Sequence, residues 1–198
     1  MTTIERYIAE LNSGDDGRAE AVVNELAAMG EQVLPALLHL FYEDDGNSPR
    51  QADCRWWALR VMAEIECPAA RDALVHALEE PDPELRQCAL LGLRLQPDER
   101  LLPLSPALLA DGDALIASLA ADALIALGEL ATPSLVKILQ GAPQAARLRA
   151  VRALARIQDP RTIPVLFNAL DEGSALMEYW ASQGLERMGV GMVFFPPA

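Results

Sequence analysis

The sequence predicts an all-α protein, a right-handed α-solenoid of about six helical hairpins with a period near 31 residues. Two observations carry this. A small residue recurs at Ala58, Ala89, Ala120, Ala150 and Ala181, and four residues after each stands a large apolar one: Met62, Leu93, Leu124, Leu154 and Leu185. An independent set, Leu78, Leu109, Leu139 and Leu170, keeps the same period. Two markers sharing one period are the signature of an array of supersecondary units.

Composition agrees. The 198-residue chain is 52% hydrophobic yet only 5% aromatic, and much of the apolar content is Ala and Leu. Such residues suit closely packed helices better than sheets. The length supports one substantial core, so residues 1–198 are read as a single repeat domain.

Each unit reads as helix A, turn, helix B. Helix A is expected over about 3–12, 31–42, 69–80, 99–110, 132–140 and 161–171, and helix B over about 17–29, 50–66, 83–95, 113–128, 144–157 and 174–188. Asp82 and Asp159 are N-cap candidates ahead of Pro83 and Pro160. Gly30, Gly128 and Gly189 follow helix B as stops. Pro35, Pro103, Pro133 and Pro164 fall early in helix A, in its first turn or just beyond, and a proline past the first turn removes a hydrogen bond and bends the helix. The first hairpin, 1–30, is irregular: Val22 aligns with Ala58 only across 36 residues, and the excess lies in a loop insertion at 43–49, EDDGNSP. The chain closes on an apolar tail, 190–198, which either caps the last hairpin or docks on a partner or a second copy.

Charge and motifs remove several functions. A formal charge of −13 disfavours nucleic acid and anionic membrane as partners. The charge is uneven: residues 1–139 hold 10 basic and 24 acidic residues, and 140–198 hold 6 and 5. The N-terminus is charged from its fifth residue and no apolar run reaches a membrane span. Cys54, Cys67 and Cys88 show no CxxC spacing. These features predict a reduced, cytoplasmic protein. His39 and His76 are the two histidines, outside any HxxxH or HExxH pattern, and no GxSxG, GxGxxG or P-loop occurs. Neither a catalytic site, a metal nor a cofactor is expected, and the protein is not read as an enzyme.

DPELRQCALLGL (82–93) and PQAARLRAVRALARIQDPRTIPVLFNAL (143–170) resemble the short HEAT-like repeats named after the phycobilisome lyases. That pattern sets an Arg three residues before the small residue of helix B. Arg55, Arg86 and Arg147 match it, whereas Ala117 and Glu178 depart from it. The resemblance implies a structural role for the three Arg, tying neighbouring repeats together. It also implies that the B helices line the concave side. The iron-binding His-Glu pairs of HEAT-repeat hydroxylases are missing, because His39 precedes Leu40 and His76 precedes Ala77.

Helical geometry then selects the free face. At 100° per residue from the marker Ala, positions +4 and +7 lie on its side, and −2, +2 and +6 point away. Trp56, Arg60, Leu91, Arg152, Arg156, Tyr179, Gln183 and Arg187 fall on the outward positions, and Trp57, Arg149 and Trp180 on the flank at −1. Trp, Tyr and Arg are enriched at binding hot spots, so these eleven residues are the expected partner-binding set. The leading function is a protein-interaction scaffold or adaptor, its Arg group suited to an acidic segment of another protein. The alternative is a subunit of a phycobilin-lyase-like enzyme, with Arg152, Arg156 and Trp180 holding a tetrapyrrole. Self-association through the tail is a third route.

Overall fold

In the computed structural model the described residues are 2–42, 49–171 and 174–190. Most of the expected loop insertion at 43–49 and of the tail at 190–198 lies outside them. The described chain is helical and without strands. Its α-helices are α1 (Thr3–Leu11), α2 (Asp16–Ala28), α3 (Leu34–Tyr42), α4 (Pro49–Met62), α5 (Pro68–Ala77), α6 (Pro83–Leu95), α7 (Leu101–Leu109), α8 (Ala114–Ala126), α9 (Thr132–Gly141), α10 (Gln144–Ile157), α11 (Ile163–Leu170) and α12 (Ala175–Arg187). Each odd-numbered helix packs on the even-numbered helix that follows it. These are the helix A and helix B segments of the sequence. The differences are confined to the ends: A segments begin as 3-10 turns at Gly30–Gln32, Gly128–Ala131 and Pro160–Thr162.

The contacts divide the chain into two compact units, Met1–Asp98 and Glu99–Ala198. In the first, α4 touches both α2 and α6; in the second, α10 touches both α8 and α12. The even-numbered helices therefore form a continuous row within each unit.

The period of the sequence is the period of burial. All five marker alanines are fully buried, as are Met62, Leu93, Leu124 and Leu154, with Leu185 nearly so. Leu78, Leu109 and Leu139 are buried, while Leu170 is half-buried at the end of α11. Burial of such side chains contributes about 1.5–3 kcal/mol each, which no isolated hairpin obtains because its faces need a neighbour.

Helix ends follow the local chemistry. Asp82 caps α6 by accepting from the Glu84 amide at 2.9 Å, and Asp113 caps α8 through the amides of Leu115 and Ile116. Gly30, Gly128 and Gly189 all take positive φ one residue past the C-caps of α2, α8 and α12. At the end of α10 the same left-handed step is taken by Gln158, φ 60°. The four early prolines lie in the first turns of α3, α7, α9 and α11. Pro106, deeper in α7, deprives the Leu102 carbonyl of its amide donor. The buried Ser105 hydroxyl supplies the missing bond at 2.7 Å, and it meets Ser134 Oγ at 2.7 Å on α9.

Of the arginines three residues before the markers, Arg55 and Arg147 hold the C-terminal ends of A helices and Arg86 holds the turn after α5. Arg55 Nε donates to Phe41 O at 3.0 Å, and its Nη2 pairs with Glu80 at 2.6 Å. Arg86 donates to the carbonyls of Glu80 and Pro81, and Arg147 to Leu139 O at 2.9 Å. A cation on the Phe41 and Leu139 carbonyls, in the last turns of α3 and α9, satisfies unpaired acceptors and opposes the negative end of the helix dipole. These bonds of Arg86 and Arg147 lie within their own hairpin, whereas Arg55 also reaches the turn of the next. The sequence resemblance, by contrast, implies ties between repeats.

Asp159 is 1% exposed. The Arg161 guanidinium and backbone amide both donate to it, Nε at 3.0 and 2.9 Å and N at 2.9 Å. The guanidinium bonds hold its carboxyl down to about 2. A carboxyl depressed in the folded state binds fewer protons there than in the unfolded chain, so its contribution is present above pH 4 and is lost as pH falls towards 2. Urea denaturation is expected to show a stability difference between wild type and Asp159→Asn that shrinks between pH 5 and pH 2.5. A difference constant over that range would contradict this.

Candidate functional site

The outward positions of the five regular B helices are Trp56, Arg60 and Glu64; Gln87, Leu91 and Leu95; Ser118, Asp122 and Ala126; Leu148, Arg152 and Arg156; and Tyr179, Gln183 and Arg187. Not one of the fifteen is buried. Helical rotation alone places them there, because the marker face of each helix is consumed by packing.

In the first unit this face is apolar with a charged border. Leu91 and Leu95 on α6 are 40% and 51% exposed. With Arg60, Glu64 and Arg94 they line a pocket of about 180 Å³. Arg60 is held by Glu64 one turn on, at 2.6 Å. Cys88 contributes to the pocket wall, but burial pushes its thiol up to about 12. It is therefore protonated at neutral pH and no nucleophile.

In the second unit the face is cationic and aromatic. Arg152 on α10 reaches Asp122 of α8 at 2.9 Å, and Arg156 approaches the same carboxylate at 3.4 Å. One carboxylate facing two guanidiniums leaves one positive charge and several unfilled donors. Arg156 is about half exposed, and its fork is free to take a second carboxylate. Tyr179 is 54% exposed and meets Trp180 edge-on, centroids 5.1 Å apart. Gln183 bonds Glu186, and Arg187 is exposed beyond them.

Two of the eleven expected binding residues are placed otherwise. Trp57 is 8% exposed, with its indole edge-on to Trp56 at 4.8 Å. It is core rather than free surface, because the flank position lies 100° from the marker and the packing of α4 between α2 and α6 covers it. Arg149 donates to Leu109 O at 2.9 Å. Leu109 holds the same place in α7 as Leu139 in α9, whose carbonyl takes Arg147. Ala117 stands where α8 would carry its own capping Arg, and Arg149 of the following hairpin supplies the cap instead. Sequence reasoning also passed over Asp16, Asp53 and Glu84. With Trp56 and Trp57 they line a pocket of about 360 Å³ in the first unit. Acids at the same register in two successive repeats were the available signal.

Among the described residues no three His, Cys, Asp or Glu side chains converge as a metal site, and no helix is long and apolar enough to cross a membrane.

Comparison with known proteins places this geometry. A family model for HEAT repeats matches residues 132–191, and one for the PBS lyase HEAT-like repeat matches 55–80. No curated protein matches significantly. Among solved structures, a designed armadillo repeat protein in complex with peptide (KR)4 is 18% identical, covering 94% of this chain and 100% of its own, with a TM-score of 0.53. Two engineered proteins are 21% and 20% identical, each covering 96% of this chain and 100% and 98% of their own, at TM-scores of 0.53 and 0.52. At these identities the likeness is one of fold. The chain therefore carries HEAT-like repeats at 55–80 and 132–191, within a helical-hairpin fold like that of armadillo repeat proteins.

Proposed function

We propose that the protein is a non-catalytic interaction scaffold that takes a partner protein on the outward faces of its B helices, the faces that the family resemblance makes concave. The observation that carries this is the set of fifteen unburied positions on the B helices of the two units, where Trp56, Leu91 and Leu95 accompany Arg60 in the first and Leu148 and Tyr179 accompany Arg152, Arg156 and Arg187 in the second. A merely solvated face has little use for so many large apolar side chains. Rigid aromatic and Arg anchors on each unit match the composition of binding hot spots. The designed armadillo repeat protein in complex with peptide (KR)4 offers a precedent for a repeat protein of this fold holding a peptide.

On the second unit the partner chemistry is acidic. Arg156 keeps donors beyond those it gives Asp122, Arg187 is exposed on α12, and a carboxylate on the partner is the complement of these guanidiniums. The test uses the purified protein as bait in lysate of its source organism, at low and high salt, beside Arg156→Glu/Arg187→Glu. Both residues are exposed, so their reversal spares Arg152, which ties α10 to α8. A partner held by the wild type and released by the double variant, with unchanged circular dichroism, is the expected result. A partner set identical for both proteins would overturn the acidic-segment reading.

A further inference from the structure

The pocket formed by Trp56, Trp57, Asp16, Asp53 and Glu84 lies where α2, α4 and α6 run side by side. Its wall is aromatic: two indoles at 4.8 Å, their planes at 89°, the Trp56 ring half-exposed and the Trp57 ring behind it. Its rim is anionic: Asp16 in the first turn of α2, Asp53 in the second turn of α4, and Glu84 in the first turn of α6, all exposed. None of the three carboxylates has an ion-pair partner among the described residues. From these features the geometry points to a site for a basic segment of a partner protein, an arginine or lysine side chain entering against Trp56 between the three carboxylates.

Four arguments support a cation of this size. Asp53 and Glu84 both stand five residues before their marker Ala, and in the second unit the same position carries Leu115, Ala145 and Leu176. The acids thus belong to this pocket and not to the repeat. Stabilisation of helix N-termini accounts for Asp16 and Glu84, but not for Asp53 in the second turn or for the tryptophans beside it. The three carboxylates do not gather into a metal-ligand set, and the cavity of about 360 Å³ exceeds what a bare ion fills. An indole face with carboxylates at its edge is the chemistry that holds a guanidinium or ammonium on an alkyl stem. The surrounding field is complementary, since residues 1–98 hold nineteen acidic and eight basic side chains, against ten and eight in 99–198.

This rests on the scaffold reading but on a different site from the Arg face of the second unit, so the two can fail separately. The test is a titration of full-length Trp180→Phe protein, whose remaining tryptophans are Trp56 and Trp57, with an octapeptide of alternating Lys and Arg. An acidic octapeptide serves as control. A saturable change in tryptophan emission is expected, with at least tenfold weaker binding in Asp53→Asn/Glu84→Gln and affinity kept in the charge-matched Glu66→Gln/Glu79→Gln. Equal loss in both double variants would mean attraction to net charge alone and would overturn the site. So would the absence of saturable binding by millimolar peptide. Unchanged melting temperatures of the variants guard the comparison.

Discussion

Gly184→Val is expected to cost about 3 kcal/mol of stability, because overpacking a close helix contact forces backbone apart. A Cβ at Gly184 on α12 would meet Ala155 Cα and Cβ at 2.9 Å and Leu166 Cδ1 at 3.0 Å. Backbone on α10 cannot yield as a side chain does, so α12 must move off α10. Gly92 on α6 holds the same register, three residues after the marker Ala, but its new Cβ would meet chiefly Leu74 Cδ2, at 2.6 Å, and Ala63 Cβ, at 2.9 Å. The flexible end of Leu74 can swing away. Gly92→Val is therefore expected to be the milder of the two, and chemical denaturation of both checks the order. The reverse order would mean that the close approach of α12 to α10 is not a fixed feature of the second unit.

Gln96→Leu is expected to cost about 2 kcal/mol, the order of magnitude for leaving buried polar groups without donors. Gln96 is buried at the end of α6, and its side-chain amide donates to Met62 O at 3.2 Å and Ala63 O at 2.8 Å. Both carbonyls lie at the C-terminal end of α4; Met62 O also accepts from the Ile65 amide at 3.1 Å, so Ala63 O is the one that the substitution leaves without a donor. The equivalent slot, seven residues after the marker, carries Ile65 and Leu127 in the flanking repeats. An apolar residue therefore fits the space, and the loss measures the two hydrogen bonds rather than volume. A thermal melt of Gln96→Leu that matches wild type would remove this tie between α6 and α4 from the account.

Much of the fold was legible because two periodicities carry it. The 31-residue recurrence of Ala and Leu marks what each hairpin must bury, and burial is the larger part of repeat stability. The caps were legible for a local reason: Asp before Pro and Gly after the last turn satisfy backbone groups within a few residues. What stayed hidden depends on neighbours. The flank position lies near 100° from the core, so packing on either side decides its fate. At that one register Trp57 and Cys88 are buried while Leu119, Arg149 and Trp180 are half-buried. Arg149 looks like surface in the sequence because its acceptor, Leu109 O, is 40 residues away and is offered only because Ala117 cannot cap it. The cationic face was legible by type but not by state, since Asp122, which neutralises half of it, comes from the preceding hairpin. The carboxylate pocket escaped for the same reason: Asp16, Asp53 and Glu84 each look like solvated acids until three helices bring them to Trp56.

The claim that the B-helix faces are the binding surface is tested most directly by hydroxyl-radical footprinting of the full chain, free and with its captured partner. Protection is expected at Leu91, Leu95, Tyr179 and Trp180 on the even-numbered helices. Tyr42 on α3 and Phe167 on α11, exposed side chains of odd-numbered helices, are expected to label equally in both states. Protection confined to Tyr42 and Phe167, with the even-helix residues unchanged, would contradict the account.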